Sequence, residues 1–149
     1  MTRNLTRRYF LQVVAAGAAG TAGALACSGN NGSQPEPFGD VAAGNVSDLQ
    51  ADTVRSVPGA PAFVGRDSNG VYAMTTTCTH QGCDRSSSVT LTSQITCNCH
   101  QSEFDLNGTV KRGPANDPLA HFAVSIAPDG TITVHGGTQV AASVRISVP

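Results

Sequence analysis

An antiparallel, all-β fold is what three features of this 149-residue chain predict. Apolar and polar residues alternate in Phe122, Val124 and Ile126 and again in Ile132 and Val134, which gives each run one buried face. Turn-forming stretches interrupt the chain at short intervals, notably Asp67-Ser68-Asn69-Gly70, Asp105-Leu106-Asn107-Gly108 and Pro128-Asp129-Gly130. Beyond residue 26 no stretch carries a helical period of useful length, and no internal repeat is present.

The first 26 residues stand apart from that fold. Thr6-Arg7-Arg8-Tyr9-Phe10-Leu11-Gln12 resembles a twin-arginine export signal, and Phe10 to Ala26 is apolar, uncharged and rich in Ala and Gly, at the short end of what could span a bilayer. Ala24-Leu25-Ala26 offers small residues for cleavage, and Cys27 follows directly. An unpaired Cys there, ahead of Ser28-Gly29-Asn30-Asn31-Gly32-Ser33-Gln34-Pro35, looks like a bacterial lipoprotein junction, although Ala24 stands where Leu is usual. Simple cleavage after Ala26 and retention of the signal as an anchor are the alternatives. Residues 27–50 read as a flexible polar tether and 51–149 as one domain. Without residues 1–26 the chain keeps 10 acidic residues and loses Arg3, Arg7 and Arg8 from its 9 basic ones, a net charge of −4 with His neutral. Nucleic acid is excluded as a partner on that balance.

Within the domain, Val54 to Val57 is a short strand candidate. Ala62-Phe63-Val64-Gly65 and Val71-Tyr72-Ala73-Met74 flank a turn in which the Asn69-Gly70 step favours a tight hairpin. Val89, Leu91 and Ile95, among β-branched threonines, predict another short hairpin, and Val110-Lys111-Arg112 continues outward from the turn at Asp105–Gly108. His121 to Ile126 and Thr131 to Val134 form the last clear hairpin, with a further strand possible around Val144 to Val148.

The chemistry is concentrated in Cys78-Thr79-His80-Gln81-Gly82-Cys83 and Cys97-Asn98-Cys99-His100-Gln101-Ser102-Glu103-Phe104. Four of the chain's five cysteines and two of its four histidines fall in the 27 residues from Cys78 to Phe104. Thiolates and imidazoles in equal number suit zinc or an iron–sulfur centre. A structural zinc finger pairs Cys with Cys and His with His, each pair on its own turn. Here each loop supplies one of each, the arrangement expected where one iron of a binuclear cluster takes both thiolates and the other both imidazoles. Cys97 and Cys99 flank a single residue, so spacing alone leaves open which of them is the ligand.

On these residues the chain resembles the Rieske iron–sulfur proteins, whose pattern is Cys-x-His, a gap of about 16 residues, then Cys-x-x-His. The resemblance covers Phe63 to His121 and its hairpin. It implies an antiparallel β-sandwich with a two-loop cluster-binding subdomain holding one 2Fe-2S cluster. Cys78 and Cys97 would hold the buried iron, and His80 and His100 the outer one. It further implies a disulfide between Cys83 and Cys99, as in Rieske proteins of respiratory and photosynthetic cytochrome complexes, and this suits an exported protein. Twin-arginine export, which carries folded proteins, agrees with a cluster inserted before translocation. Gly113-Pro114-Ala115 takes the place of the proline loop that covers the cluster, where the proline ring stiffens the cover. His121 and His135 match no ligand position.

The function implied is one-electron transfer, with the chain an electron-transfer subunit of an oxidoreductase complex, not a catalyst alone. Ser102 matches the serine that donates to a bridging sulfide. Phe104 stands where high-potential members have Tyr, whose hydroxyl would donate to Cys78, and this implies a lower potential. Gln101 replaces the usual Gly. The leading reading is a membrane-tethered carrier at the periplasmic or extracytoplasmic face of a bacterial inner membrane. There it would be the iron–sulfur subunit of a quinol–cytochrome c reductase, with quinol and a b- or c-type cytochrome as partners. The alternative is the small Rieske subunit of a larger periplasmic oxidoreductase resembling arsenite oxidase. A Rieske oxygenase would need a further domain with mononuclear iron, and its stand-alone ferredoxin is cytoplasmic and lacks the disulfide pair.

Overall fold

The computed structural model describes residues 33–85 and 90–149. The export signal, Cys27 and Val89 lie outside them. Among these residues ten strands run β1 (Asp40–Asn45), β2 (Thr53–Ser56), β3 (Ala62–Asp67), β4 (Gly70–Thr75), β5 (Thr90–Leu91), β6 (Ile95–Thr96), β7 (Glu103–Phe104), β8 (Val110–Arg112), β9 (His121–Ile126) and β10 (Thr131–Val140). Among the described residues the one helical element is a 3-10 turn at Val46–Asp48. No helix there is long and apolar enough to cross a membrane.

Seven strands form one antiparallel sheet in the order β1-β10-β9-β4-β3-β2-β5, and β6-β7-β8 form a second, smaller one. The large sheet curls on itself. Arg55 on β2 donates from Nη2 to the Ala43 carbonyl on β1 (2.5 Å), although five positions separate those strands in the order. Its concave face encloses Ala43, Leu49, Val57, Val64, Val71, Phe122, Ile132 and Val134. Its other face, through Val54, Phe63, Tyr72 and Met74, packs on Ile95 and Phe104 of the small sheet and on Cys78 and Cys97. β4 is buried along its whole length because it is central to both layers, which is why Val71-Tyr72-Ala73-Met74 reads as a continuous apolar run.

The structure corrects several expectations. Residues 40–48 belong to the fold and not to a tether: β1 pairs with β10, and Phe38, Val41, Ala43, Val46 and Leu49 pack into the core. The glycines and the Pro and Asn nearby obscure that apolar spacing in the sequence. The β3–β4 turn centres on Ser68-Asn69, since Asp67 pairs with Gly70. The Asp67 carboxylate accepts from the amides of Asn69 (2.8 Å) and Gly70 (3.1 Å), and a Cβ on Gly70, at φ +136°, would overlap the Ile146 carbonyl. Leu91 and Ile95 do not share a hairpin, because β5 pairs with β2 while β6 pairs with β7. In place of a last strand at Val144 to Val148, Ile146 makes one isolated bridge to Val71.

That C-terminal tail holds the two layers together. The Arg145 guanidinium lies 3.9 Å from the Tyr72 ring centroid, pairs with Asp67 (2.7 Å) and donates to Asn107 Oδ1 (2.6 Å). Tyr72 donates to the Leu106 carbonyl (2.7 Å), so the chain leaving the second cysteine loop is pinned to β4. Burial, first of all, raises the Tyr72 phenol to about 12, so it stays a donor. His121 and His135 are strand residues, as expected. Asp40, His135 and Ser125 form a hydrogen-bonded chain across β1, β10 and β9 (2.9 Å at each step).

Candidate metal centre

Two hairpin tips carry the cysteines and histidines. Thr77 bridges Asp84 at the base of the first, and Thr96 pairs with Glu103 at the base of the second. Their backbones follow one pattern. In the first loop the Cys78 amide donates to the Cys83 carbonyl (2.8 Å) and the Gly82 amide to the Cys78 carbonyl (2.9 Å). In the second, the Cys97 amide donates to the Ser102 carbonyl and the Gln101 amide to the Cys97 carbonyl, both at 2.8 Å. Each pattern needs a left-handed residue four places after its cysteine. Gly82 supplies it at φ +72°, and Gln101 adopts it at φ +61° at a cost of roughly 1–2 kcal/mol. The sequence shows this correspondence only faintly, since Gly82 and Gln101 share no side-chain chemistry.

Four ties hold the loops face to face, two of them direct and two through the proline segment. Cys83 and Cys99 form a disulfide (S–S 2.17 Å), so the pairing that the family resemblance implies is present. Thr79 in the first loop donates through Oγ1 to the Asp117 carbonyl (2.6 Å). The Ala115 amide donates to Ser102 Oγ (3.0 Å) in the second. The segment holding Gly113 and Pro114, which are joined by a cis peptide, is therefore stitched to both loops, with Ala115 buried and Pro114 exposed. Arg85 donates to Asn98 Oδ1 (3.1 Å) across the loops.

Within this frame the four remaining side chains sort by depth. Cys78 and Cys97 are free thiols, 2% and 1% exposed, beside the fully buried Phe104. His80 is half-buried and His100 exposed, their rings meeting edge to face with centroids 4.8 Å apart. Burial raises the Cys78 thiol above its ordinary value, and the neighbouring Cys97 side chain adds to that. The nearby His80 amide and Ser102 side chain oppose the rise. The sulfurs of Cys83, Cys97 and Cys99 also lie within 4.8 Å of one another, but two of them are consumed by the disulfide and cannot bind a metal as thiolates.

One atom tests whether a metal group fits. His80 Nδ1 is buried and has no hydrogen-bond partner, a state that costs about 1–3 kcal/mol if nothing meets the nitrogen. A metal ion bound through that lone pair removes the cost, and two buried thiols below it supply the negative charge such an ion requires. The residues present fit a binuclear iron–sulfur group.

The family comparison agrees with this geometry. The Rieske [2Fe-2S] domain matches residues 39–123. The chain belongs to that family. A 2Fe-2S cluster is the cofactor that goes with it, and the match begins at β1, inside the stretch the sequence assigned to a tether. The cytochrome b6-f complex iron-sulfur subunit of Synechococcus sp. (strain RCC307) is 32% identical over 124 residues, 81% of this chain and 66% of that protein. The subunit of the same name from Prochlorococcus marinus (strain MIT 9303) is 33% identical over 57% of this chain and 49% of its own length. The chain thus spans about half to two thirds of these relatives. The cytochrome bc1 complex Rieske iron-sulfur subunit of Mycobacterium tuberculosis (strain ATCC 25618 / H37Rv) is 37% identical over 67 residues, 44% of this chain and 16% of that protein. Among solved structures, a chain described as "Complex of reduced oxygenase and oxidized ferredoxin in carbazole 1,9a-dioxygenase" is 28% identical, with TM-score 0.51 over 68% of this chain and 97% of that one.

Proposed function

We propose that this chain is an exported, membrane-tethered one-electron carrier, the iron–sulfur subunit of a quinol-oxidising cytochrome complex. The observation that carries the reading is the pair of matched loops. They bring two buried thiols and two outward imidazoles together, one with an unpartnered Nδ1, under a Cys83–Cys99 disulfide. The b6-f and bc1 relatives support the assignment to such a complex. The disulfide speaks against an oxygenase ferredoxin, in which the pair is expected to be missing.

When bound, the cluster supplies a one-electron store whose potential imidazole ligation raises above that of a four-thiolate centre. Cys78 and Cys97, buried with Phe104 and Ala115, would hold the cluster away from water, and His80 and His100 would hold it toward the surface, where a partner can reach it. Ser102 stabilises charge on the Cys78 sulfur, and no tyrosine hydroxyl adds a second donor, because residue 104 is Phe. The outer imidazoles give a donor such as a quinol a hydrogen-bonding site at the surface. Cys27, acylated or preceded by a retained signal, keeps the carrier at the extracytoplasmic face of the inner membrane.

Electron paramagnetic resonance of the purified protein tests this, first with ascorbate and then with dithionite. A rhombic Rieske signal is expected. Its presence with ascorbate supports the quinol-oxidising assignment, its appearance with dithionite alone refutes that assignment while keeping the carrier, and its absence from both refutes the cluster.

A further inference from the structure

The two ligand loops share one backbone pattern, and each leaves the same carbonyl over. The carbonyl of each free cysteine is taken by the amide four places on, that of Gly82 in the first loop and of Gln101 in the second. The next carbonyl, of Thr79 or of Asn98, is not used by the turn itself and needs a donor from outside it. In the second loop the Gln101 side chain turns back and donates through Nε2 to the Asn98 carbonyl (3.3 Å). Gly82 has no side chain with which to do this. In the first loop the donor comes instead from the residues ahead of β1: the Ser33 amide donates to the Thr79 carbonyl (3.0 Å). Ser33 lies over Gly82, where a Cβ would meet its Oγ at 3.5 Å.

The two bonds differ in weight. Asn98 is exposed, so water can serve its carbonyl, whereas Thr79 is 4% exposed and a carbonyl left unmet there keeps the cost of leaving water. Ser33 is held in place by the strap that it begins, residues 33–38. Pro35 is buried, and Phe38 packs edge-on against Phe122 (5.0 Å) and fills the space above Gly136, where a Cβ would overlap its ring. The strap lies ahead of residues 39–123, which the family match accounts for.

We propose that Ser33 is a positioning residue for the metal centre, acting through its backbone amide. By closing the Thr79 carbonyl it fixes the peptide that carries His80, and so the direction in which the buried, unpartnered His80 Nδ1 points. Gln101 holds the second loop in the same way from within, which gives that side chain a use in a left-handed position (φ +61°) where glycine would be the easier residue. The inference rests on His80 as a ligand, as proposed above. Because the donor is a main-chain N–H, what matters at position 33 is that the residue is not proline.

The test uses the full-length, cluster-loaded protein and pulsed electron paramagnetic resonance of its reduced state, which reads the nitrogen couplings of the coordinating imidazoles. Wild type is expected to show two. Ser33→Pro removes the amide proton and should shift one of the two while leaving the other, and Ser33→Ala, which keeps the amide, should match wild type in both. Fewer than two couplings in wild type overturns the ligand assignment and this proposal with it. With two present, no shift in Ser33→Pro, or an equal shift in Ser33→Ala, overturns the positioning role alone. If Ser33→Pro takes up no cluster, the denaturant midpoint of its metal-free form decides. A midpoint equal to that of metal-free wild type upholds the positioning role, and a lower one makes the bond a matter of stability and overturns it.

Discussion

Replacing Ser102 by Ala removes one oxygen at the junction of the second loop and the proline segment. It is fully buried, accepts from the Ala115 amide at 3.0 Å and lies close enough to the Cys78 sulfur to act against the rise of that thiol's pKa. Two separate losses follow. The Ala115 amide, on a buried residue, is left without its acceptor, which costs about 1–3 kcal/mol of stability in the loaded protein. The Cys78 sulfur loses a neighbouring hydroxyl, whose donation to a charged acceptor is worth about 1.5–3 kcal/mol. The reduced centre is the more negative state, so the bond favours it more. A differential share of about 1 kcal/mol corresponds to roughly 40 mV for one electron. Ser102→Ala is therefore expected to lower the reduction potential by about 40 mV while keeping the rhombic signal, because no ligand is touched. A redox titration followed by electron paramagnetic resonance or circular dichroism measures this. An unchanged or raised potential with the signal intact would show that the hydroxyl does not stabilise charge on the sulfur.

Phe104→Tyr places a hydroxyl in the buried layer that contains Cys78 and is expected to raise the potential by a similar amount; a fall or no change in the same titration counts against it. Cys97→Ser is expected to abolish the cluster's visible absorption and Cys99→Ser to retain it at lower stability; the reverse outcome would exchange their roles. Burial, with the Arg145 charge, lowers the His121 pKa below its ordinary 6.5 against the raising effect of the Leu119 carbonyl. The unfolded chain then takes up the proton first, so this stability is fully present above pH 6.5 and declines as pH falls toward the folded value. Denaturant midpoints at about pH 7.5 and 5.5 should differ less in His121→Gln than in wild type, and an equal difference would refute the argument. Gly136→Ala drives a methyl into the Phe38 ring and should destabilise the protein by about 1–3 kcal/mol, with faster hydrogen exchange at the Ser33 amide. Unchanged exchange would mean that the strap does not depend on Phe38.

The hairpins were the legible part of the fold. The β9–β10 hairpin announces itself because alternation along the strands and the turn before Thr131 agree, with Gly130 at φ +84° closing the turn. β1 was hidden, since its sequence Asp-Val-Ala-Ala-Gly-Asn has weak strand preference and is held by β10 and the core beneath it. β5 and β6 are two residues each, and nothing local could tell that they join different sheets.

The site divides in the same way. Residue identity and spacing along the chain gathered four cysteines and two histidines into one candidate metal site, because ligand chemistry depends on which atoms are present and roughly how far apart the chain allows them to be; the resemblance to Rieske proteins then sorted them into Cys78, His80, Cys97 and His100 as ligands and Cys83 with Cys99 as a pair. Departures from a pattern, Gln101 and Phe104, were visible for the same reason. Direction and depth were not. That Ser102 lies beside the Cys78 sulfur, that Ala115 and Asp117 stitch the proline segment to both loops, and that Ser33 returns to the carbonyl of Thr79 are contacts across 13 to 46 residues of chain, made where the facing of the loops is set elsewhere. They exist because the curled sheet and its smaller partner fix the two hairpin tips relative to each other. No local preference encodes a distance of that kind.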